Sequence, residues 1–517
     1  MSSKKKKNRR KKKKVPTTTM QVNSERNGNR LWRIVMDHPN IFDTHIVTKL
    51  NGNDVKFFYD VNTESRAAIK RSGVQLRNAF KIADFDTPST ISWALTNCSE
   101  KKERFCAQMA RNGNVELLKF LHEKGCPWNE WTCFEAAQYG HLECLKYAHK
   151  NGCPCDGRTC FLAARGGHLE CLKYLHENGC PWDEGTCLGA AHGRLDCLKY
   201  AREKGCPWDE VTCSAAALHG QLECLKYAHE KGCPWDEETC KDAAEHGHLE
   251  CLKYAHENGC PWDEKTCAFA AYNGHFECLI YAHGNGCPWE ENTCTGAASY
   301  GHLECLKYVH INGCPWNEWT CEFAAKNGHL ECLKYARKKG CPWNKKTCFE
   351  AAQYGHLECL KYAHENGCPW DEEICFAAAS GGHLECLKYL HENGCPWDGS
   401  TCLGGAHGRL ECLKYAREKG CPWDEMTCSA AALHGYLECL KYAHENGCPW
   451  NEWTCEGAAE HGQLECLKYA HENGCPWDEK TCSLAAENGQ LECLKYAHEN
   501  GCPGSAKYAR KYLDSDS

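Results

Sequence analysis

Small and apolar residues recur at helical spacing through most of the chain. Cys267, Ala270 and Ala271 stand at positions i, i+3 and i+4, which places them on one face of a short helix. A second apolar arc, at 100° per residue, is formed by Leu249, Cys251, Leu252, Ala255 and His256. The opposite side of that helix carries Glu250, Lys253 and Tyr254. The pattern therefore predicts two short helices in each unit, each with one apolar face.

Residues at the helix ends support the same prediction. Asp263 is suited to cap the first helix, and Trp262 before it is expected to pack on Cys267 as a hydrophobic staple. Gly274 is expected to end the first helix and Gly259 the second, because glycine adopts the left-handed conformation that closes a helix. Helices this short are not stable alone in water. Neighbouring pairs must therefore stack to bury their apolar faces.

The two-helix unit repeats along the chain. The tripeptide Gly-Cys-Pro occurs fifteen times between Cys126 and Cys502, with steps of 27 residues and two steps of 26. Cys133 and Cys348 are 215 residues apart in matching surroundings, which indicates that a block of eight units was duplicated. A period in this range is typical of a solenoid. We therefore predict an all-α fold, an elongated solenoid of about fifteen stacked antiparallel helix pairs.

The units resemble ankyrin repeats. The run Thr266-Cys-x-x-Ala270-Ala271-x-x-Gly274-His275 is similar to the signature of the first ankyrin helix, one residue shorter. The run H-L-E-C-L-K-Y-A-H-E-N-G-C is similar to the pattern of the second helix. The resemblance implies a protein that binds a partner protein on its concave side. The unit is shorter than the family's usual length of about 33 residues, and Cys replaces Pro after Thr. We expect short Pro-Trp loops in place of the family's β-hairpin fingers.

Nearly all of the 46 cysteines stand at three fixed positions of the repeat. One position lies on the first helix, one on the second helix, and one follows the glycine that ends the second helix. In the first repeat Leu117 occupies the second-helix position, so an apolar side chain suffices there. Free cysteine behaves as a small apolar residue when it is buried. We interpret the cysteines as core residues; metal ligands and disulfide partners are the alternatives.

The histidines and the absence of catalytic motifs bear on metal binding and catalysis. Arg194 and Arg409 replace the histidine beside the first-helix glycine, and the later histidine is replaced by Arg202, Arg337 and Arg417. Arginine is not a usual metal ligand, and zinc sites favour cysteine pairs closer together than the Cys-x₆-Cys found here. The sequence has no phosphate-binding loop, nucleophile elbow or HExxH motif. We expect no cofactor, no metal site and no catalytic residues.

Ten of the eleven residues from 4 to 14 are basic. They are Lys4, Lys5, Lys6, Lys7, Arg9, Arg10, Lys11, Lys12, Lys13 and Lys14. Removing these ten positive charges would change the formal net charge from −8 to −18. Such a block is typical of a nuclear import signal or a non-specific nucleic-acid contact, and a solvated tail without a receptor is the alternative. Since it contains no aromatic residue to stack on bases, sequence-specific recognition is not expected.

Residues 31–100 form a segment without repeats, which contains HPNIFDTHIVTKLNGNDVKFFYDV. Its apolar spacing resembles an F-box, the helical module that recruits a Skp-type adaptor to a cullin ubiquitin ligase. The matching positions, which the resemblance implies face the adaptor, are Pro39, Ile46, Leu50, Val55, Phe58 and Val61. His38 and Ser65 depart from the pattern, since they stand where a leucine and an aromatic residue often occur. The alternative is an amphipathic cap that covers the first repeat.

These features predict four segments: a basic tail at residues 1–30, the F-box-like module, the repeats at 101–503, and a capping segment and tail at 504–517. The N-terminus lacks the apolar region of a secretory signal, and no apolar run is long enough to cross a membrane. With so many cysteines, we expect a reducing compartment, the nucleus or cytoplasm.

The predicted function is an interaction scaffold that binds a partner protein and recruits the Skp-type adaptor and cullin. A plain ankyrin-type scaffold and a zinc-binding repeat protein are the alternatives.

Five positions of the repeat, in three short windows, vary while most others hardly change. They are the residue before the Thr-Cys pair, the two residues after that pair, and the two residues before the first-helix glycine. The ankyrin resemblance implies that they line the inner face. The candidate partner-binding residues are Trp131, Glu135, Gln138, Tyr139, Lys241, Asp242, Glu245, His246, Tyr272, Asn273, Trp319, Lys326, Asn327 and Trp453. The tryptophans are candidate hot spots; drift at solvated positions is the alternative.

Overall fold

The computed structural model describes residues 103–512 and, before them, Thr87, Pro88, Ile91, Ser92 and Leu95. The basic block at residues 4–14 and all six F-box-like positions lie outside the described residues. The nuclear import signal, the F-box-like module and the boundaries of the four segments therefore stay predictions.

Residues 103–512 form 31 helices, and no strand occurs among them. In chain order the helices are α1 (Glu103–Arg111), α2 (Val115–Glu123), α3 (Glu130–Gln138), α4 (Leu142–Lys150), α5 (Gly157–Gly166), α6 (Leu169–Glu177), α7 (Glu184–Ala191), α8 (Leu195–Glu203), α9 (Glu210–Leu218), α10 (Leu222–Glu230), α11 (Glu237–Glu245), α12 (Leu249–Glu257), α13 (Glu264–Tyr272), α14 (Phe276–Gly284), α15 (Glu291–Ser299), α16 (Leu303–Ile311), α17 (Glu318–Lys326), α18 (Leu330–Lys338), α19 (Lys345–Gln353), α20 (Leu357–Glu365), α21 (Glu372–Gly381), α22 (Leu384–Glu392), α23 (Gly399–Ala406), α24 (Leu410–Glu418), α25 (Glu425–Leu433), α26 (Leu437–Glu445), α27 (Glu452–Glu460), α28 (Leu464–Glu472), α29 (Glu479–Glu487), α30 (Leu491–Glu499) and α31 (Ser505–Tyr512).

The helices alternate between two roles. Each odd-numbered helix up to α29 is the first helix of a repeat, and the even-numbered helix after it is the second. The chain divides into two compact units, one made of residues 1–163 and 170–181, the other of residues 164–169 and 182–517. Within the units, first helices pack on first helices and second helices on second helices. The prediction of an all-α repeat of stacked helix pairs is confirmed. α31 packs on α29 and α30 at the end of the second unit.

The first helices begin at a polar cap. The carboxylate of Asp263 accepts a hydrogen bond from the backbone N–H of Lys265 at 3.0 Å. Its backbone carbonyl accepts a second bond, from the N–H of Thr266 at 3.1 Å. These bonds satisfy the N–H of Lys265, which the helix itself leaves free, and start the hydrogen-bond ladder. The predicted capping role of Asp263 is confirmed.

The second helices end in a glycine with a positive φ. Gly259 has φ +85°, a conformation that costs an L-residue energy. Its N–H donates to the carbonyl of His256 at 3.0 Å, and the N–H of Cys260 donates to the carbonyl of Ala255 at 3.0 Å. Together these bonds form a Schellman motif. The cysteine after the glycine therefore occupies a fixed place, folded back on the last turn of the helix.

The core is built from small side chains. On α12 the buried residues are Cys251, Leu252 and Ala255, and on α13 they are Thr266, Cys267, Ala270 and Ala271. Leucine is the largest of these, so the helices of one repeat approach each other closely and every layer resembles the next. The described cysteines are all buried, except for Cys155, and none of them forms a disulfide within the described part of the chain. The interpretation of the cysteines as core residues is confirmed at these positions.

Two aromatic residues make contacts that the sequence pattern did not predict. Tyr254, assigned to the side of its helix opposite the apolar arc, is half-buried against the preceding repeat, edge-on to His229 with ring centroids 5.8 Å apart. The single-helix pattern does not include this contact, because it is made with a neighbouring repeat. Trp262 stacks on His256 at a centroid distance of 3.7 Å, a contact that the predicted staple on Cys267 did not include.

Candidate partner-binding face

The cysteine after the second helix uses its thiol as a hydrogen-bond donor. The Cys260 Sγ–H donates to the backbone carbonyl of Asp236, the cap of the first helix in the same repeat, at 3.2 Å. The same bond recurs in the later repeats, for example from Cys287 to Asp263 at 3.2 Å. The first-helix thiol of Cys240 in turn lies 4.0 Å from the carbonyl oxygen of Cys260. These thiols therefore link the first helix of a repeat to the end of its second helix.

The histidine beside the first-helix glycine packs on the preceding repeat. The Nε2–H of His248 donates to the carbonyl of Leu218 at 3.1 Å. Its ring lies against Gly220, where an added Cβ would come within 2.5 Å of Nδ1. Where arginine replaces this histidine, the donor is kept: Nε of Arg194 donates to the carbonyl of Arg165 at 3.3 Å. In these two repeats, the residue after the first-helix glycine donates a hydrogen bond to the preceding repeat, and its side chain lies over the glycine there.

The later histidine forms part of an aromatic junction between repeats. The ring of His229 stacks on Trp235 at 3.8 Å, and its Nδ1 lies 3.0 Å from the hydroxyl of Tyr254. Where arginine stands instead, its guanidinium covers the same tryptophan, as Arg202 covers Trp208 at 4.3 Å. Stacking is thus retained when the imidazole is exchanged for a group that does not bind metals.

These contacts account for the Cys and His pattern without a ligand. No group of three or more His, Cys, Asp or Glu side chains with the arrangement of a metal site occurs among the described residues. Burial also raises the pKa of the second-helix thiol of Cys251 to about 11, so the thiol stays protonated at neutral pH. Metal ligands and reactive nucleophiles are thiolates. At the second-helix position the thiol is therefore suited to packing, not to metal binding or nucleophilic attack.

Most of the variable positions of the first helices are exposed or half-buried, although a few of the residues after the Thr-Cys pair, such as Phe134 and Ser214, are buried. We call this surface the first-helix face: the residue before the Thr-Cys pair, the two after it, and the two before the glycine. Nine of the thirteen exposed large apolar side chains in the described part of the chain belong to it. They are Trp131, Tyr139, Val211, Tyr272, Tyr300, Trp319, Tyr354, Met426 and Trp453. Clusters of exposed apolar residues are typical of interaction surfaces.

The second helices present a different surface. Their outward positions carry a regular series of ion pairs, such as Lys253 with Glu250 at 2.8 Å and Lys334 with Glu331 at 2.8 Å. Each pair is exposed and contributes little to stability. The side chains are nearly the same in each repeat. This face is uniform and charged, whereas the first-helix face changes from one repeat to the next.

In the first unit the candidates lie on α3 and at its end. Trp131 is exposed, and the guanidinium of Arg158 lies 5.3 Å from its ring centroid. Glu135 is half-buried, and burial raises the pKa of its carboxyl. Gln138 is exposed, and Tyr139 lies under the guanidinium of Arg111 at 4.8 Å. An arginine therefore already covers each of the two exposed aromatic rings in this repeat.

The candidates on α11 largely satisfy one another. The ammonium of Lys241 lies 3.5 Å from a carboxylate oxygen of Asp242 and also pairs with Glu238. Nδ1 of His246 lies 3.1 Å from the carbonyl of Asp242, and Glu245 beside it is half-buried. Asp242 is half-buried as well, and desolvation raises the pKa of its carboxyl. This repeat offers a partner few free groups.

Further candidates meet in a groove of about 750 Å³ formed by α13, α15 and α17. Tyr272 and Trp319, both predicted from the sequence, line it from opposite sides. Its other lining residues are Glu264, Lys265, Ala268, Phe269, Glu290, Asn292, Thr293, Thr295, Gly296, Ser299, Glu322 and Phe323. Asn273 donates to the carbonyl of Phe269 at 3.1 Å, and Asn327 to the hydroxyl of Ser299 at 3.1 Å. The volume lies in the range of sites that hold small ligands or peptide side chains.

A smaller groove of about 420 Å³ contains Trp453. It also contains Glu456 and Gly457, the two residues after the Thr-Cys pair of α27. Glu456 is paired with Lys480, with 3.9 Å between the charged atoms.

The candidate Lys326 lies on α17; its ammonium covers the ring of Tyr354 at 5.0 Å and pairs with Glu350 at 3.7 Å. Trp453 is therefore open to a partner, whereas Lys326 is engaged within the chain.

The sequence did not single out several groove residues. Phe269, Glu322 and Phe323 stand in the window after the Thr-Cys pair, which the sequence marks as variable. Glu264 follows the cap of α13, and Glu290 stands at the cap position of α15; the repeat pattern explains both positions by capping alone. Only the side-by-side placement of three consecutive first helices brings these residues together.

Comparisons with known proteins identify the repeats. Ankyrin-repeat models match residues 105–184, 133–213, 240–283, 295–337 and 348–427. No curated protein matches the chain significantly.

Among solved structures, the human ASB11 ankyrin repeat domain is 19% identical, with 30% of this chain and 84% of that domain covered and a TM-score of 0.28. The maize pentatricopeptide repeat protein PPR10 is 14% identical, with 84% and 80% covered and a TM-score of 0.26. At these values neither likeness bears on function. The model matches together span just over half of the residues, and the chain belongs to the ankyrin-repeat proteins.

Proposed function

We propose that the chain is a scaffold that binds a partner protein on the first-helix face. The observation that carries the proposal is the concentration of exposed aromatic and apolar side chains on that face, beside an ion-paired and nearly invariant second-helix face. Aromatic residues supply most of the binding energy at protein interfaces, whereas exposed ion pairs supply little. Ankyrin repeats bind protein partners, and the groove that contains Tyr272 and Trp319 gives this face a recess of about 750 Å³.

No helix among the described residues is long and apolar enough to span a membrane. The expectation of a nuclear or cytoplasmic location is a proposal that rests on the cysteine content and the basic block.

The experiment compares cross-linking from the two faces. A photoreactive benzoylphenylalanine replaces Tyr272 on the first-helix face or, as the control, Lys253 on the second-helix face. We expect one protein, identified by mass spectrometry, to be cross-linked from position 272 and not from position 253. Because both sites belong to the same unit, differences in expression do not explain such a result. Equal cross-linking from both positions, or cross-linking from position 253 alone, contradicts the proposal.

A finer proposal concerns the adaptor. The F-box-like spacing of Leu50 and Phe58 supports recruitment of a Skp-type adaptor and cullin by residues 39–66. Replacing both residues with alanine in the full chain is expected to abolish co-purification of the adaptor and to leave exchange protection at residues 105–125 intact. If the adaptor never co-purifies and the double substitution removes that protection, the segment is a cap on the first repeat. The chain is then a plain binding scaffold.

A further inference from the structure

We propose that the groove between α13, α15 and α17 binds an arginine side chain, next to an apolar residue, in an extended segment of the partner protein. The inference rests on the proposed function and specifies the chemistry of its partner. Four observations support it: the shape of the groove, its aromatic walls, its charge, and a contact between an arginine and a tryptophan elsewhere in the same chain.

The groove exists because α15 carries small residues where its neighbours carry large ones. The positions after its Thr-Cys pair are Thr295 and Gly296, whereas α13 has phenylalanine at the second of these positions and so does α17. A Cβ at Gly296 would lie 2.4 Å from the ring of Tyr272. The absence of a side chain at Gly296 therefore lets this ring lie over α15 and leaves a recess beside it.

The walls of the recess are aromatic on both sides. Phe269 and Tyr272 of α13 form one wall, with ring centroids 6.2 Å apart, and Trp319 and Phe323 of α17 form the other. Tyr272 and Trp319 are 37% and 46% exposed, so part of each ring is open to solvent, although the Tyr272 ring also lies 4.4 Å from that of Tyr300. Aromatic faces attract cations and planar groups, and tryptophan attracts them most strongly.

The charge of the groove is negative. Its lining includes Glu264, Glu290 and Glu322 but only one cation, Lys265, which lies 3.6 Å from Asp263. Oε2 of Glu322 is buried, and within the described part of the chain no donor bonds to it. Desolvation raises the pKa of this carboxyl, while the charge of Lys346 opposes that shift. A buried carboxylate oxygen without a donor is costly unless a ligand supplies one.

Arginine meets these requirements better than lysine. A planar guanidinium stacks on aromatic rings and donates to a carboxylate through several N–H groups at once. The chain shows the aromatic part of this pairing at Trp131, the repeat position equivalent to Trp319: the guanidinium of Arg158 lies 5.3 Å from the rings of Trp131 and Phe134. In that repeat the arginine belongs to the chain itself. The position equivalent to Arg158 beside Trp319 is Lys346 of the following repeat, whereas on the groove side the preceding repeat has the uncharged Asn292, which leaves that side of the ring to a partner.

The size of the groove requires more than one side chain. A volume of about 750 Å³ lies within the range of ordinary ligand sites of roughly 300–1,000 Å³. The floor of Thr295, Gly296 and Ser299 offers little charge, so an apolar neighbour of the arginine fits there. The partner is therefore a short protein segment, not a free amino acid.

The test uses the full, reduced chain and short random peptides displayed on phage. Peptides that bind are synthesised, and their Kd values are measured by fluorescence anisotropy. We expect the selected peptides to contain an arginine beside an apolar residue. Replacing that arginine with citrulline, which keeps the shape and removes the charge, is expected to weaken binding about tenfold or more.

Variants of the chain locate the site. Trp319→Ala and Glu322→Gln are each expected to weaken peptide binding about tenfold. On Glu322→Gln the citrulline peptide should lose less affinity than on the unsubstituted chain, because the two changes remove one shared interaction. Ile311→Ala and Glu331→Gln remove an exposed apolar side chain and an exposed charge from second helices, and are expected to leave binding within about twofold.

Three outcomes overturn the inference. If the peptides bind but citrulline has no effect, the ligand is not an arginine. If binding depends on Trp131 or Trp453 and not on Trp319, the groove is not the site, yet the proposed function stands. If no selected peptide depends on any residue of the first-helix face, the inference and the proposed function both fail.

Discussion

The thiol of Cys260 donates a hydrogen bond to the backbone carbonyl of Asp236, 3.2 Å away. Asp236 caps the first helix of the repeat, and Cys260 follows the glycine that ends the second helix. The bond therefore joins the start and the end of one helix pair. This position needs a small, largely apolar side chain that is able to donate a hydrogen bond. Cysteine combines these properties.

Cys260→Ala is expected to destabilise this repeat by about 1 kcal/mol, the typical net contribution of one hydrogen bond. Cys260→Ser should cost less than Cys260→Ala, because a hydroxyl is able to donate to the same carbonyl. Hydrogen exchange at the Thr239 amide, which bonds to the Asp236 carbonyl, reports the local effect. If serine costs more than alanine, apolar burial outweighs the hydrogen bond, and the role assigned to the thiol is wrong.

Two glycines of one repeat junction provide a matched pair of substitutions. Gly274 and Gly259 both have positive φ, +75° and +85°. A Cβ at Gly274 would lie 2.4 Å from Nδ1 of His302, whereas nothing lies within 4 Å of one at Gly259. We expect both alanine substitutions to cost about 1 kcal/mol of backbone strain, and Gly274→Ala to cost more because the histidine must move.

Urea unfolding of the two variants measures the difference between these glycines. In a His302→Ala background the two costs should become equal. Equal costs in the unsubstituted chain would show that the contact between His302 and Gly274 is not tight.

The buried second-helix thiols predict a loss of stability at alkaline pH. Burial, assisted by a neighbouring glutamate, raises the pKa of Cys251 to about 11 and that of Cys278 to about 12, against an ordinary value of 9.0. Below pH 9 both the folded and the unfolded chain keep these protons. Between pH 9 and 11 the unfolded chain loses them first, so the free energy of unfolding falls.

The urea midpoint should therefore drop between pH 9 and 11. The control is a chain with Cys251→Leu and Cys278→Leu, substitutions for which Leu117 in the first repeat is a natural precedent. This control keeps every tyrosine. We expect its urea midpoint to drop less than that of the unsubstituted chain, and the difference measures the contribution of the two thiols. An unchanged drop in the control would assign the alkaline loss to other groups.

The packing of Cys and His in the repeats predicts that the chain binds no metal. We expect the purified, reduced chain to contain well below one zinc per chain by elemental analysis, and EDTA to leave its helical circular dichroism unchanged. The reason is that the thiols and imidazoles already bond to carbonyls and stack on tryptophans, as His256 does on Trp262. Zinc near one ion per repeat would contradict this explanation.

The fold was predictable because the same helix-pair pattern recurs in each repeat. Asp263, Gly259 and Leu252 take their predicted places, since capping, chain reversal and apolar periodicity are properties of a few neighbouring residues. The stacking of His256 on Trp262 was not predictable in the same way, because it depends on the angle between consecutive repeats.

The groove is a still longer-range feature. Trp319 could be singled out from its variable position alone. Gly296, which opens the recess, matters only because Tyr272 of the preceding repeat lies over it. A pattern read within one repeat cannot contain that relationship.

Binding through the first-helix face is tested most directly by hydrogen exchange of the full chain with and without the protein cross-linked from position 272. We predict that added partner slows exchange in α13, α15 and α17, at residues 264–272, 291–299 and 318–326, and leaves the second helices α14, α16 and α18 unchanged. Slower exchange confined to the second helices, or no change in either set at saturating partner, would contradict binding through this face.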